Sequence, residues 1–193
     1  RKEASKLNVP RIGVRFRLPA SMNQVEYFGR GPAENYLDRN AGSMIGLYKS
    51  TAEELYFPYV RPQENGHHTD TRWVSLSTGK KGLLIQADNT IGFNALRNSI
   101  EDFDDEEATG LSRQWSNFTP EQVANHDEAA AKNVLRRQHH INDITPRDFV
   151  EVCVDLKQQG VAGYDSWGSR PEPAYTLPAN REYNWGFTLI PLK

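Results

Sequence analysis

The chain has 193 residues, of which 37% are hydrophobic and 25% are charged. This composition is that of a globular protein and excludes a disordered tail. The net charge of −2 excludes the basic field on which nucleic-acid binding depends, and the longest apolar run is far too short to span a bilayer. The single cysteine, Cys153, excludes an intrachain disulfide framework and a zinc site with several cysteine ligands.

Residues 1–9 form a polar lead-in at the start of the chain. They open without methionine and without a signal sequence, so we expect the numbering to begin inside a longer polypeptide. No linker separates two halves of the sequence. We therefore predict a single domain over residues 1–193.

Short strands with period-two alternation dominate the pattern. Around Cys153 the flanking valines face one way and the thiol faces the other, where we expect it to be buried as a small hydrophobe. In the last strand Trp185, Phe187 and Leu189 share one face. Alternation of this kind predicts half-buried strands in an all-β antiparallel sandwich. The predicted strands are residues 12–18, 24–28, 72–77, 82–87, 149–156 and 183–190.

One helix start is legible in the sequence. Thr119 stands at the N-cap position, Pro120 at the first helical position and Gln122 at the third, which is the pattern of a capping box. We predict one short helix near residues 120–126.

Histidines and acidic residues form clusters that resemble metal sites only superficially. Adjacent residues of a strand point to opposite faces, so neither His67-His68 nor His139-His140 supplies two ligands to one metal. We expect these histidines to lie at the surface or to pack. The acidic run at residues 101–107 lacks the glycine and the spacing of a calcium loop, and it predicts a solvated loop. No metal site is predicted in this chain.

A first long stretch, residues 27–39, is dense in turn formers and charges (Tyr-Phe-Gly-Arg-Gly-Pro-Ala-Glu-Asn-Tyr-Leu-Asp-Arg). Such a run predicts a shaped loop after a strand. Glu34 and Asp38 are spaced four residues apart and are candidates for paired carboxylate chemistry. The alternative is that they pair with Arg30 and Arg39 and lock the loop.

Two further stretches stand out for the same reason. Residues 58–67 contain the strong turn signal Asn65-Gly66, and Arg61 and Glu64 are available either to a sugar or to each other. Residues 160–168 place Trp167 in a glycine-bounded loop. An indole in such a loop either offers a flat apolar face to a sugar ring or caps the end of the sandwich.

Together these stretches resemble the C-terminal region of the large β-galactosidases of glycoside hydrolase family 2. The resemblance rests on the first stretch, on Tyr-Val-Arg-Pro-Gln-Glu-Asn-Gly and on Asp-Ser-Trp, in this order. It covers the chain from about Pro10 to the C-terminus. It implies the family's fifth, small-chain domain, an antiparallel β-supersandwich resembling galactose mutarotase. It also implies that the catalytic glutamates lie on a TIM barrel outside this chain.

The resemblance assigns the substrate contact to Trp167, which would stack on the substrate at the mouth of the active site. Asp165 and Ser166 match the same motif and would orient the loop. Tyr164 stands where relatives are expected to carry Gly or Asp, a departure that bears on the shape of the loop. The resemblance further implies magnesium and sodium in the full-length enzyme, a homo-oligomer, and the rest of the polypeptide as partner. No cofactor is assigned to this chain.

The resemblance favours a part of a retaining β-galactosidase that acts on galactosides such as lactose. Two other functions are alternatives to it. One is a non-catalytic carbohydrate-binding or scaffolding module that uses Trp167. The other is a mutarotase or epimerase, which needs a histidine and a carboxylate on opposite sides of a sugar. His67 or His68 with Glu64 is too close in sequence for that arrangement. One cysteine fits a bacterial cytoplasm and does not exclude a periplasm, so the compartment stays open.

Overall fold

The computed structural model describes residues 7–60, 63–103, 141–165 and 168–193. The chain divides into two compact units. The first comprises Arg1–Phe57, Asn65–Arg97 and Asp148–Lys193, and the second comprises Pro58–Glu64 and Asn98–Arg147.

Antiparallel strands joined into one sheet make up the first unit. The strands are β1 (Arg11–Pro19), β2 (Gln24–Gly31), β3 (Met44–Thr51), β4 (His68–Ser77), β5 (Gly82–Leu96), β6 (Phe149–Gln158) and β7 (Phe187–Leu192). Their order across the sheet is β1-β6-β5-β4-β2-β3, and β7 pairs with β5. The predicted all-β antiparallel fold is confirmed, and this sheet is consistent with a sandwich-like architecture.

Strand β5 connects both halves of the sheet. Along one edge its first half pairs with β7, from Gly82 to Ala87, and its second half pairs with β6, from Gly92 to Leu96. Strand β4 pairs along the other edge. Because β6 occupies the edge of β5 from Gly92 onward, β7 has no partner strand there.

The prediction of a half-buried last strand over residues 183–190 is therefore wrong in two respects. Strand β7 begins only at Phe187 and continues to Leu192. Its side chains are also largely exposed, with Leu189 at 49%. Trp185 lies before the strand, where its ring packs on that of Phe187 with the centroids 5.3 Å apart.

One face of the sheet carries the hydrophobic core. Val25 pairs with Leu76, and Tyr27 pairs with Val74, which in turn pairs with Ile85. Residues directly opposite each other in an antiparallel pair project to the same side. All five side chains are at most 2% exposed. Full burial of each apolar side chain contributes about 1.5–3 kcal/mol.

Strand β3 was not predicted from the sequence. Among the described strands it lies at the edge of the sheet, where it pairs with β2 alone. Met44, Ile45 and Leu47 on this strand are all exposed. The sequence of the strand therefore lacks the alternation of apolar and polar residues that burial of one face imposes.

The second unit has its own polar interactions among its described residues. A 3₁₀ turn covers Ile100–Phe103, and within it Asp102 is only 2% exposed. Its carboxylate accepts hydrogen bonds from the Ser99 amide (2.9 Å) and from Arg147 Nε (3.0 Å). The hydrogen bond to Asp102 raises the pKa of Arg147 above its ordinary value. The predicted solvated loop at residues 101–107 is therefore wrong for its first part, because Asp102 is buried in an ion pair.

The remaining described elements are further 3₁₀ turns at Ile141–Asp143 and Pro173–Tyr175. No helix within the described ranges is long and apolar enough to cross a membrane. The predicted helix near residues 120–126 lies outside the described residues, as does the pair His139-His140.

Candidate functional site

Described parts of all three sequence stretches lie in the first unit, at the loops that follow β2, β3 and β6. The first loop is residues 32–43, between β2 and β3. The second is residues 65–67, immediately before β4. The third is residues 159–165 together with 168–186, between β6 and β7. Side chains of the first loop bind the backbone of the other two.

Asp38 joins the first loop to the third. The Asp38 carboxylate accepts a hydrogen bond from the Val161 amide at 3.1 Å and another from the Ala162 amide at 2.8 Å. A Cβ atom on Gly160 would lie 2.5 Å from Asp38 Cγ, so only glycine permits this approach. The alternative in which Asp38 pairs with Arg30 is wrong, since Arg30 Nε lies 2.5 Å from Oδ2 of Asp70 instead.

Glu34 joins the first loop to the second. Its Oε2 atom accepts hydrogen bonds from the Gly66 amide at 2.7 Å and from the Tyr36 hydroxyl at 3.2 Å. Its Oε1 atom lies 2.9 Å from Arg39 Nη2, and the Glu34 side chain is 8% exposed. The loop-locking alternative is therefore confirmed for Glu34 and Arg39.

Two buried asparagines also bind the backbone near these loops, and Asn35 was not singled out by the sequence patterns. Its Oδ1 atom accepts from both the amide (2.9 Å) and the hydroxyl (2.6 Å) of Thr69, and its Nδ2 donates to the carbonyl of Ala33. Asn65 forms a two-way pair with the Phe57 backbone, donating at 2.6 Å and accepting at 2.9 Å. Both asparagines are buried, so unmade bonds at these amides would be costly.

The third loop leads to the predicted contact residue. The Ser169 hydroxyl accepts from the amides of Gly163 and Tyr164, and the Ser169 amide donates to Asp165 Oδ1 at 3.2 Å. Partial desolvation and the negative charge of Asp38 raise the pKa of Tyr164. Ser166 and Trp167 lie outside the described residues.

His67 and His68 are packed inside the first unit. Of the two predicted alternatives, surface exposure or packing, the second is confirmed. Both side chains are at most 2% exposed. The His67 ring lies 2.9 Å from Asn94 Oδ1, which makes its Nδ1 the donor. Burial, together with the charge of Arg11, lowers the pKa of His67 to about 3, and burial also lowers the pKa of His68. Neutral, enclosed rings of this kind are unsuited to the proton transfers of a mutarotase.

A buried ionic cluster lies next to His67, beneath the loops. Arg11 Nε lies 3.1 Å from Asp155 Oδ2, and Arg11 Nη2 donates to Asn94 Oδ1 at 2.7 Å and to Gln158 Oε1 at 2.6 Å. Asn94 in turn donates to the carbonyl of Asn65 at 2.6 Å. The cluster therefore links β1, β5 and β6 to the second loop.

The predicted buried thiol is confirmed. Cys153 is 2% exposed on β6, and burial raises its pKa to about 12. Among the described residues, no group of three or more His, Cys, Asp or Glu side chains is placed to hold a metal ion.

A family model described as the β-galactosidase small chain matches residues 1–189. The chain belongs to this family. It is 35% identical over 185 residues to a β-galactosidase of Priestia megaterium, and the match covers 95% of this chain and 15% of that protein. A β-galactosidase of Vibrio cholerae is 29% identical over 94% of this chain and 14% of its own length. A 99-residue match to the β-galactosidase of an Arthrobacter species is 41% identical and covers 48% of this chain and 10% of that protein.

The small-chain domain thus spans about 15% of the length of the first relatives it matches. The resemblance drawn from the three sequence stretches is confirmed at the level of the family.

Proposed function

We propose that this small-chain domain forms one wall of the active site of a retaining β-galactosidase and presents Trp167 as a stacking platform for the substrate. The catalytic carboxylates lie elsewhere in the same polypeptide. Membership of the small-chain family and relatives that are named β-galactosidases support this assignment.

The observation that carries the proposal is the construction of the third loop. Asp38 binds its start at Val161 and Ala162, and the Ser169 contacts with Gly163 and Asp165 close it. A side chain that stacks on a sugar contributes most when its loop is held in place before binding, because less conformational entropy is lost. Bracing on both sides of residues 166 and 167 is what such a platform requires.

The carboxylates of the first unit support a non-catalytic role for this chain. A retaining glycosidase needs two carboxyl groups about 5 Å apart that flank the scissile bond. The buried candidates are instead bound to arginines: Glu34 to Arg39 and Glu151 to Arg17. These ion pairs engage the two carboxylates in structural contacts within the chain.

No residue of this chain is assigned to magnesium or sodium, and the described residues contain no group of three or more His, Cys, Asp or Glu side chains placed to hold a metal ion. This domain's own contribution is to bind and orient the part of the substrate beyond the galactose ring.

Hydrolysis of 4-nitrophenyl β-galactoside separates this function from its alternatives. The 193-residue chain alone is expected to be inactive. The full-length polypeptide is expected to release galactose that first appears as the β-anomer by proton NMR. Hydrolysis by the chain alone, or initial release of the α-anomer, would refute the proposal.

A further inference from the structure

We propose that Asp38 is a positioning residue for ligand binding, because its carboxylate fixes the backbone conformation at residues 160–164. This inference rests on the proposed function, since it takes the third loop to be the one that reaches a ligand. Asp38 lies in the first sequence stretch and is 123 residues away from Val161 in the chain.

The Asp38 side chain is committed to the third loop. One carboxylate oxygen accepts from the Val161 amide and the other from the Ala162 amide. Hydrogen bonds to an ionised acceptor are roughly twice as strong as neutral ones. The carboxylate therefore fixes the loop at consecutive residues.

The backbone of the third loop is shaped around this carboxylate. Gly160 lies so close to Asp38 that a Cβ atom there would meet Cγ and Oδ2 at 2.5 Å. Ala162 adopts a φ of +56°, a conformation that is strained for a residue with a Cβ. The hydrogen bond from its amide to Asp38 stabilises this conformation.

The backbone around Asp38 is itself held in place by a tight turn and by the packing of Tyr36. It lies in a tight turn in which the Arg39 amide donates to the Tyr36 carbonyl at 2.8 Å and the Tyr36 amide donates to the Arg39 carbonyl at 3.2 Å. The Tyr36 ring is buried and stacks on the His67 ring, with the centroids 5.7 Å apart. The carboxylate is thus connected to the buried core of the first unit, and loss of it would release the loop and leave the core intact.

The test uses the full-length β-galactosidase polypeptide with Asp38→Asn and Asp38→Ala. Asparagine keeps one acceptor oxygen and alanine keeps none, so the effects should be graded. The matched control is Asp70→Asn, which removes the ion pair between Asp70 and Arg30 of the first stretch. Asparagine tolerates the φ of +51° at position 70. For each variant one measures kcat and KM for lactose, the inhibition constant of free galactose, and amide hydrogen exchange in a peptide spanning residues 159–165.

A positioning role predicts a split between these quantities. In Asp38→Ala the KM for lactose should rise about tenfold, with a smaller rise in Asp38→Asn, while kcat and the galactose inhibition constant stay within about twofold. Exchange at residues 159–165 should accelerate in both, and Asp70→Asn should resemble the wild type. An equal rise in KM for Asp70→Asn, a parallel loss of galactose affinity, or unchanged exchange would overturn the inference.

Trp167→Ala in the same enzyme distinguishes the two proposals. If it leaves the KM for lactose unchanged, the proposed function fails, and the ligand-positioning role of Asp38 fails with it. If Trp167→Ala raises the KM and Asp38→Ala does not, only the inference about Asp38 fails. Asp38→Asn alone decides the matter should Asp38→Ala not fold.

Discussion

Replacing His67 with asparagine is expected to reduce the loss of stability that the chain suffers on acidification. Burial and the Arg11 charge lower the pKa of His67 from its ordinary 6.5 to about 3 in the folded state. Between these two values the unfolded chain binds a proton that the folded chain does not. The stability that depends on a neutral ring is therefore complete above pH 6.5 and falls as the pH drops towards 3.

The size of the effect follows from this difference in pKa. Between pH 7 and pH 5, protonation of the unfolded state alone costs the folded state about 2 kcal/mol. Asparagine can place an amide donor near the position of His67 Nδ1, so the bond to Asn94 is retained while the titration disappears. Burial acts to raise the pKa of Glu53, but hydrogen bonds from its own backbone amide, from Arg97 and from Asn23 outweigh burial and lower this pKa from 4.5, so this carboxylate titrates below the window.

The assay is urea unfolding of the wild type and of His67→Asn at pH 7 and pH 5. The drop in the free energy of unfolding between the two pH values should be about 2 kcal/mol smaller in the variant. Val74→Ala, which loses buried methyl groups and no titrating group, controls for the general loss of stability and should keep the wild-type drop. Equal drops for the wild type and His67→Asn would refute the reasoning.

Two further predictions follow from the packing of the first unit. Gly92→Ala should lower the free energy of unfolding by about 1–3 kcal/mol or more, because the new Cβ would lie 2.6 Å from the enclosed His67 ring; a melting temperature within a degree of the wild type would contradict this. Cys153 should not react with a thiol reagent at pH 8 in the native state and should react fully in urea, because burial raises its pKa to about 12; rapid native labelling would show that the strand opens.

The fold was predictable where one face of a strand is buried and the other is not. The alternation around Val74 and Leu76 locates β4 correctly because burial imposes it. Strand β6 was located by its valines, but it is buried on both faces, and its second face carries Glu151, Cys153 and Asp155. Strand β3 was missed because its edge position leaves Ile45 and Leu47 exposed. The start of β7 was misplaced because it is fixed by β6, a competing partner for the same edge of β5. The single domain over residues 1–193 stays a prediction.

Several residues of the site could be identified from the sequence, but the groups that they contact could not. The density of turn formers and charges singled out Glu34 and Asp38, their spacing suggested paired carboxylate chemistry, and the alternative was that both pair with arginines. Only Glu34 does so. The Asp38 partners are backbone amides 123 and 124 residues away, and such groups leave no mark in a sequence. The roles of Trp167, Ser166 and Asp165 in ligand binding stay predictions.

The most direct measurement is the KM for lactose of the full-length polypeptide carrying Trp167→Ala, beside Trp185→Ala as the matched control. Trp185 lies in the same long connection between β6 and β7, but its ring packs on Phe187. Loss of one aromatic stacking contact of about 1 kcal/mol predicts a rise in KM of about fivefold for Trp167→Ala, with Trp185→Ala close to the wild type. An unchanged KM in Trp167→Ala, or the same rise in both variants, would contradict a substrate platform on this domain.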